Sequence, residues 1–215
     1  TLKFGGIDIL ILNAGIFPKS ERVSEIEFSN WKKVFDVNLN ANLFILKYAF
    51  PILKHAVKNG GNVVIVGSKN VSAPGPGAAA YSASKAALNQ LARVIALEWA
   101  SYNIRVNIVH PNAVFDTGIW SEDIIIKRAE NYNLTIEEYK TNNLLKTQIN
   151  STDVAELIVV EKFAKASFMG ETEKFTSKKA AEFGVKQIRA IKTGAMATFT
   201  DKIDKYYSTS NKLGI

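Results

Sequence analysis

A chain of 215 residues, 47% hydrophobic and 22% charged, has the size and composition of one globular domain able to bury a substantial core. Without cysteine it has no disulfide or thiolate metal site, its two isolated histidines, His55 and His110, lack ligand spacing, and no apolar run reaches the roughly 20 residues of a membrane span. The net charge of +7 is uneven, 16 Lys/Arg against 14 Asp/Glu in 1–160 and 11 against 6 in 161–215, and the basic tail lacks the interleaved aromatics of a nucleic-acid surface. No metal, no nucleic acid and no membrane partner is expected, and with no basic leader at the start the expected location is cytoplasmic.

Residues 7–12 (IDILIL) form a short apolar run stopped by Asn13-Ala14-Gly15, which predicts a buried strand and a turn. From about Asn30 to Lys58, apolar residues from Trp31 to Leu53 recur at helical intervals, with Pro51 late in the segment and Gly60-Gly61 closing it. NVVIVG at 62–67 predicts a second buried strand, followed by a Ser/Ala/Pro/Gly loop through Ala79. From Tyr81 to about Ser101, Leu88, Leu91, Ala92, Ile95 and Trp99 share one helical stripe, and IRVNIV at 104–109 predicts a third strand. Residues 118–147 predict two short helices, the second opened by a capping box from Thr135 to Glu138. From Glu161 onward the sequence has helical-looking stretches and no recognisable strand.

Strands apolar on both faces and separated by helices indicate a parallel sheet, so the expected class is doubly wound α/β. Ligands in such folds sit beyond the carboxyl ends of the strands, which draws attention to the residues after 12, 67 and 109. Tyr81 and Lys85, four apart, share a helix face, and Ser68 ends the second strand. An alcohol that gives up hydride must also lose its hydroxyl proton, which requires a base, or an acid in the reverse direction. A tyrosine phenol serves if a nearby ammonium lowers its pKa, and Lys85 is expected to supply that charge. Ser68 can hydrogen-bond the substrate oxygen as charge develops there. Asn38, a small penalty within a helix, gains a role if it holds a water linked to Lys85.

These residues resemble the short-chain dehydrogenases/reductases over roughly 4–160. The motifs occur in order: Asn13-Ala14-Gly15, Asp36-Val37-Asn38, Ser68 thirteen residues before Tyr81, Tyr81-Ser82-Ala83-Ser84-Lys85, and Arg105-Val106-Asn107 running to Pro111. The resemblance implies a Rossmann-like three-layer α/β/α fold and an NAD- or NADP-dependent oxidoreductase. It gives catalytic roles to Asn38, Ser68, Tyr81 and Lys85. It also implies cofactor contacts from Asn13, Ala14 and Gly15 on the adenosine side, from Tyr81 and Lys85, and from Pro111, Asn112 and Val114 near the nicotinamide. A dimer or tetramer formed through the helices at 30–58 and 81–100 is a further implication. The stretches Ser68–Tyr81 and Pro111–Trp120, with Glu137-Glu138-Tyr139-Lys140, are similar to the dehydrogenase domain of bifunctional aldolase/dehydrogenases of the rhamnulose-phosphate aldolase/lactaldehyde dehydrogenase type. That likeness implies a small hydroxyaldehyde, alcohol or sugar-derived substrate near Asn70, Asp116 and Trp120.

Three features depart from the family pattern. The glycine-rich turn that holds the pyrophosphate, and the residue that sorts NAD from NADP, are not in the sequence, which starts roughly at the family's fourth strand. On that reading the first βαβ units are missing, 1–160 is the catalytic half of a Rossmann-like domain, and 161–215 is a divergent basic segment. Asn112 stands where the family has glycine after Pro111, and the closing strand is not recognisable. Two other functional readings follow: a non-catalytic scaffold without its dinucleotide half, and a basic binding module acting through 161–215.

Overall fold

The computed structural model describes residues 5–56, 60–143 and 145–163. The three apolar runs form β1 (Ile9–Leu12), β2 (Asn62–Val66) and β3 (Arg105–Val109). They pair in parallel in the order β1-β2-β3, with Leu10 opposite Val63 and Val63 opposite Val106. Between β1 and β2 the chain rises through α1 (Phe28–Phe35), a five-residue π-helical segment at Asp36–Asn40, and α2 (Ala41–Leu53). Between β2 and β3 it passes through α3 (Ala79–Trp99). Parallel neighbours joined by right-handed crossovers place their helices on one face of the sheet. Leu12, Val63, Ile65, Ile104 and Val106 accordingly pack against Leu46, Ala49 and Leu53 of α2 and Leu88, Ala92, Ile95 and Trp99 of α3. This is the α/β arrangement expected from the sequence, with each strand one or two residues shorter than its apolar run.

Residues two apart on a strand share a face. On the opposite face of β1, Ile9 and Ile11 are 41% and 48% exposed, although the strand is apolar on both sides. Gly60 shows the closeness of the strand-entry loops: at φ +75° it lies so near Asn103 that a Cβ would fall 1.8 Å from the Asn103 carbonyl oxygen. Only glycine meets both demands.

The described chain divides into two compact units, 5–110 with 158–163, and 111–157. In the second unit Val114 bridges Ile149, and α4 (Glu122–Asn131) is capped by the Ser121 hydroxyl, which accepts from the Ile124 N–H. α5 (Ile136–Lys140) carries the predicted capping box, with Thr135 and Glu138 satisfying each other's backbone N–H. The Asp116 carboxylate accepts from both the N–H and the hydroxyl of Ser151, the first residue of α6 (Ser151–Phe163). Of the segment expected to be basic and helical, 164–215 lies outside the described residues.

Candidate active site

Each catalytic candidate in the first unit sits where the local chain has a reason to place it. Tyr81 and Lys85 occupy the first turns of α3, whose buried stripe includes Ala80, Ser84, Lys85 and Leu88. Lys85 is 3% exposed, yet its ammonium makes one hydrogen bond among the described residues, donating to the Val66 carbonyl at the end of β2, 2.8 Å away. Burial pushes its pKa down to about 8. Its Nζ lies 5.9 Å from the centroid of the Tyr81 ring, which also packs against Phe17 at 4.6 Å.

The Ser68 side chain lies beside the Tyr81 phenol. Ser68 opens the 3-10 turn Lys69–Val71, and its Oγ accepts the Asn70 N–H at 3.2 Å, which fixes the hydroxyl. Burial raises the Tyr81 phenol and the neighbouring Ser68 side chain offsets part of that rise. The lowering expected from Lys85 does not act on the phenol here, and loss of solvent, which penalises the phenolate, sets the direction.

Asn38 is fully buried in the π segment. Its Oδ1 accepts from the Ile16 N–H at 2.8 Å, and its Nδ2 donates to the Ile16 carbonyl at 3.0 Å and to Ser84 Oγ at 3.1 Å. Ser84 Oγ in turn donates to the Tyr81 carbonyl at 2.8 Å. Asn38 therefore fastens the turn after β1 to the start of α3. Sequence reasoning missed Ser84, whose signal was a small hydroxyl residue three positions after Tyr81 on a buried stripe.

Asn13 and Ala14 are exposed beyond the carboxyl end of β1, and Gly15 is half-buried. A Cβ on Gly15 would lie 3.4 Å from both Asn38 Oδ1 and Lys85 Nζ, so glycine leaves open the space over the lysine. An ammonium with unused N–H groups, a phenol and an uncovered glycine surface fit the hydroxyl-rich ribose of a nicotinamide coenzyme. Asn70, half-buried, lies in the turn after Ser68. Pro111, Asn112 and Val114 open the second unit, where Asn112 Oδ1 is buried without a hydrogen-bond partner among the described residues. Asp116 is committed to Ser151, and Trp120 packs on Phe115 and Tyr139 at 4.9 and 6.3 Å.

Residues 1–124 match the family model described as short chain dehydrogenase. The chain belongs to the short-chain dehydrogenase family. It is similar to the uncharacterized oxidoreductase YuxG of Bacillus subtilis, 36% identical over 170 residues that make up 77% of this chain and 24% of that protein. To the human dehydrogenase/reductase SDR family member 4 it is 36% identical over 121 residues, 55% of this chain and 43% of that one. The chain thus spans less than half the length of these curated relatives. A short chain dehydrogenase family protein from Francisella tularensis superposes with a TM-score of 0.64 at 31% identity, over 78% of this chain and 68% of that structure. NAD+-bound xylitol dehydrogenase, at 22% identity, shares the fold with a TM-score of 0.69 over 78% of this chain and 66% of its own. Among the described residues no helix is long and apolar enough to cross a membrane.

Proposed function

We propose that the chain is the catalytic part of an NAD- or NADP-dependent oxidoreductase acting on a small hydroxyaldehyde, alcohol or sugar-derived substrate, with Tyr81 as general acid/base. The observation that carries this is the buried Lys85 ammonium, with unused donors, over the Tyr81 ring at the end of β2 that carries Ser68. A similar protein of Mycobacterium tuberculosis, 35% identical over 125 residues, bears the name of an NAD-dependent oxidoreductase. A bound nicotinamide would supply the hydride acceptor or donor. Tyr81 would pass the proton between the substrate oxygen and solvent, and Ser68 would hold that oxygen through its hydroxyl. Lys85 would hold the ribose hydroxyls and stabilise the phenolate once a substrate excludes water.

Two observations support a parent chain larger than the matched region. The match to YuxG occupies 24% of that protein, so the matched region is one part of a much larger chain. β1, apolar on both faces but exposed at Ile9 and Ile11, has the composition of an interior strand. Further parallel strands would then continue the sheet beyond it.

The test uses the full-length protein, titrated with NAD and NADP and assayed by reduced-nicotinamide absorbance on lactaldehyde, simple polyols and their oxidised forms. Tyr81→Phe is expected to lower turnover on the order of 10²–10⁴-fold while coenzyme still binds. Unchanged turnover in that variant, or no coenzyme binding by the parent, would refute the reading.

A further inference from the structure

His110 plays no part in the chemistry above, yet it is the titratable group held most closely against Ser68. It follows β3, and its ring lies on the main chain of Gly67, where a Cβ would fall 2.7 Å from Nδ1 and 2.8 Å from Cε1. Any side chain at 67 would evict the ring. Nε2 lies 3.2 Å from Asn89 Oδ1, an atom that can only accept, and the Nε2–H tautomer satisfies it. Nδ1 is then free to accept, and the Ser68 N–H is 3.2 Å away. The Ser68 carbonyl oxygen is 3.0 Å from the same nitrogen, so the tautomer decides which half of the Ser68 backbone the ring holds. Burial, aided by the Lys85 charge, keeps the ring below the ordinary histidine pKa despite the opposing contact with the Ser68 backbone, consistent with a neutral imidazole.

The geometry points to His110 as a positioning residue for Ser68. Asn89 lies four residues after Lys85 and eight after Tyr81, so one face of α3 carries all three. The imidazole is a rigid spacer between that face and the end of β2, and it sets the gap across which Ser68 meets Tyr81. An error of about 1 Å in such a gap can cost on the order of 10²-fold in rate. The inference rests on the role proposed for Ser68, but the clamp can be measured without turnover.

The experiment takes the ¹⁵N-labelled full-length protein and two variants. The ring signals lost in both variants assign His110 in long-range proton–nitrogen spectra. The expected result for His110 is a protonated Nε2 and a bare Nδ1 at neutral pH; an Nδ1–H tautomer or an imidazolium would overturn the clamp. His110→Phe keeps a flat ring on Gly67 but removes both nitrogens, and should speed hydrogen exchange at the Ser68 amide. The Gly67 amide, bonded to the Val109 carbonyl at 2.8 Å, should be unaffected and serves as the control. In the assay that establishes activity, the same variant should lower kcat on the order of 10–100-fold with little change in KM or coenzyme affinity. His110→Asn, whose oxygen can replace Nδ1 as acceptor, should recover most of that loss. Wild-type kcat in His110→Phe, or no recovery in His110→Asn when both bind coenzyme normally, would overturn the positioning role. If the parent turns nothing over, the proposed function fails, while the tautomer and the Ser68 exchange rate still decide the clamp.

Discussion

Lys85 and Tyr81 are both held away from their ordinary titrations by burial, and the directions have consequences. A lysine whose folded pKa lies below its unfolded value binds fewer protons folded than unfolded between the two, so its contribution to stability rises with pH across that window. Here the window runs from about 8 to the unfolded value of about 10.4. Below it, the buried ammonium costs roughly 3 kcal/mol relative to an apolar side chain that packs equally well. Lys85→Met should therefore be inactive yet more stable than the parent near neutral pH, by up to that amount. Denaturant unfolding should show the difference shrinking as pH rises through the window; a variant less stable at neutral pH would refute the account. Tyr81 is raised, so at neutral pH it is a protonated acid suited to reducing a carbonyl. Rates of alcohol oxidation should climb into the alkaline range, while carbonyl reduction should hold at neutral pH and fall beyond it, a contrast that pH–rate profiles in both directions would reveal. The four residue types were legible in the sequence because their spacing and motif context are specific. The sign of the Tyr81 shift was not, since it depends on how much water the fold removes from the phenol.

At the scale of elements, the segment from Asn30 to Lys58 reads as one helix, and periodicity cannot show that its turn at Asp36–Asn40 is widened. There the Ala41 N–H bonds the Asp36 carbonyl, five residues back, a geometry that recurs at functional sites. The widening leaves the Asn38 carbonyl accepting from Asn42 Nδ2 at 2.8 Å, and Asn42 is itself 2% exposed. The visible cue was a run of asparagines, Asn38, Asn40 and Asn42, each a poor helix former unless its side chain has work. Asn42→Ala would remove the buried hydrogen bond to the Asn38 carbonyl and should cost about 1 kcal/mol in denaturant unfolding. Because Asn38 then loses its anchor to α2, turnover should drop as well; a variant with parental stability would show that the widened turn holds itself. The three strands and the capping box were legible because apolar runs and capping residues act locally. The second unit's break after His110 was not, since nothing in the composition around Pro111 marks it.

For the whole molecule, the apolar surface of the first unit calls for a partner. Phe44 and Tyr48, one turn apart on α2, are 58% and 69% exposed, and Leu97 on α3 is 58% exposed, with Leu43, Ile45 and Val94 also open. α2 and α3 cover the same face of the sheet, so these side chains project from one helical layer, away from its core. Scattered apolar residues need no explanation, but rings and leucines repeated over neighbouring helices are costly to leave in water. Self-association through this layer would bury them without disturbing Tyr81 and Lys85, which point into the sheet side of α3. Phe44→Glu combined with Leu97→Glu should convert a dimer or tetramer to monomer in sedimentation experiments, because two buried carboxylates per subunit cannot be desolvated without partners. Folding, judged by circular dichroism, should be retained, since neither residue contributes to the core. If the parent already sediments as a monomer at working concentration, the layer must be covered by another part of a longer chain, and the double variant should then lower solubility of the isolated unit no further.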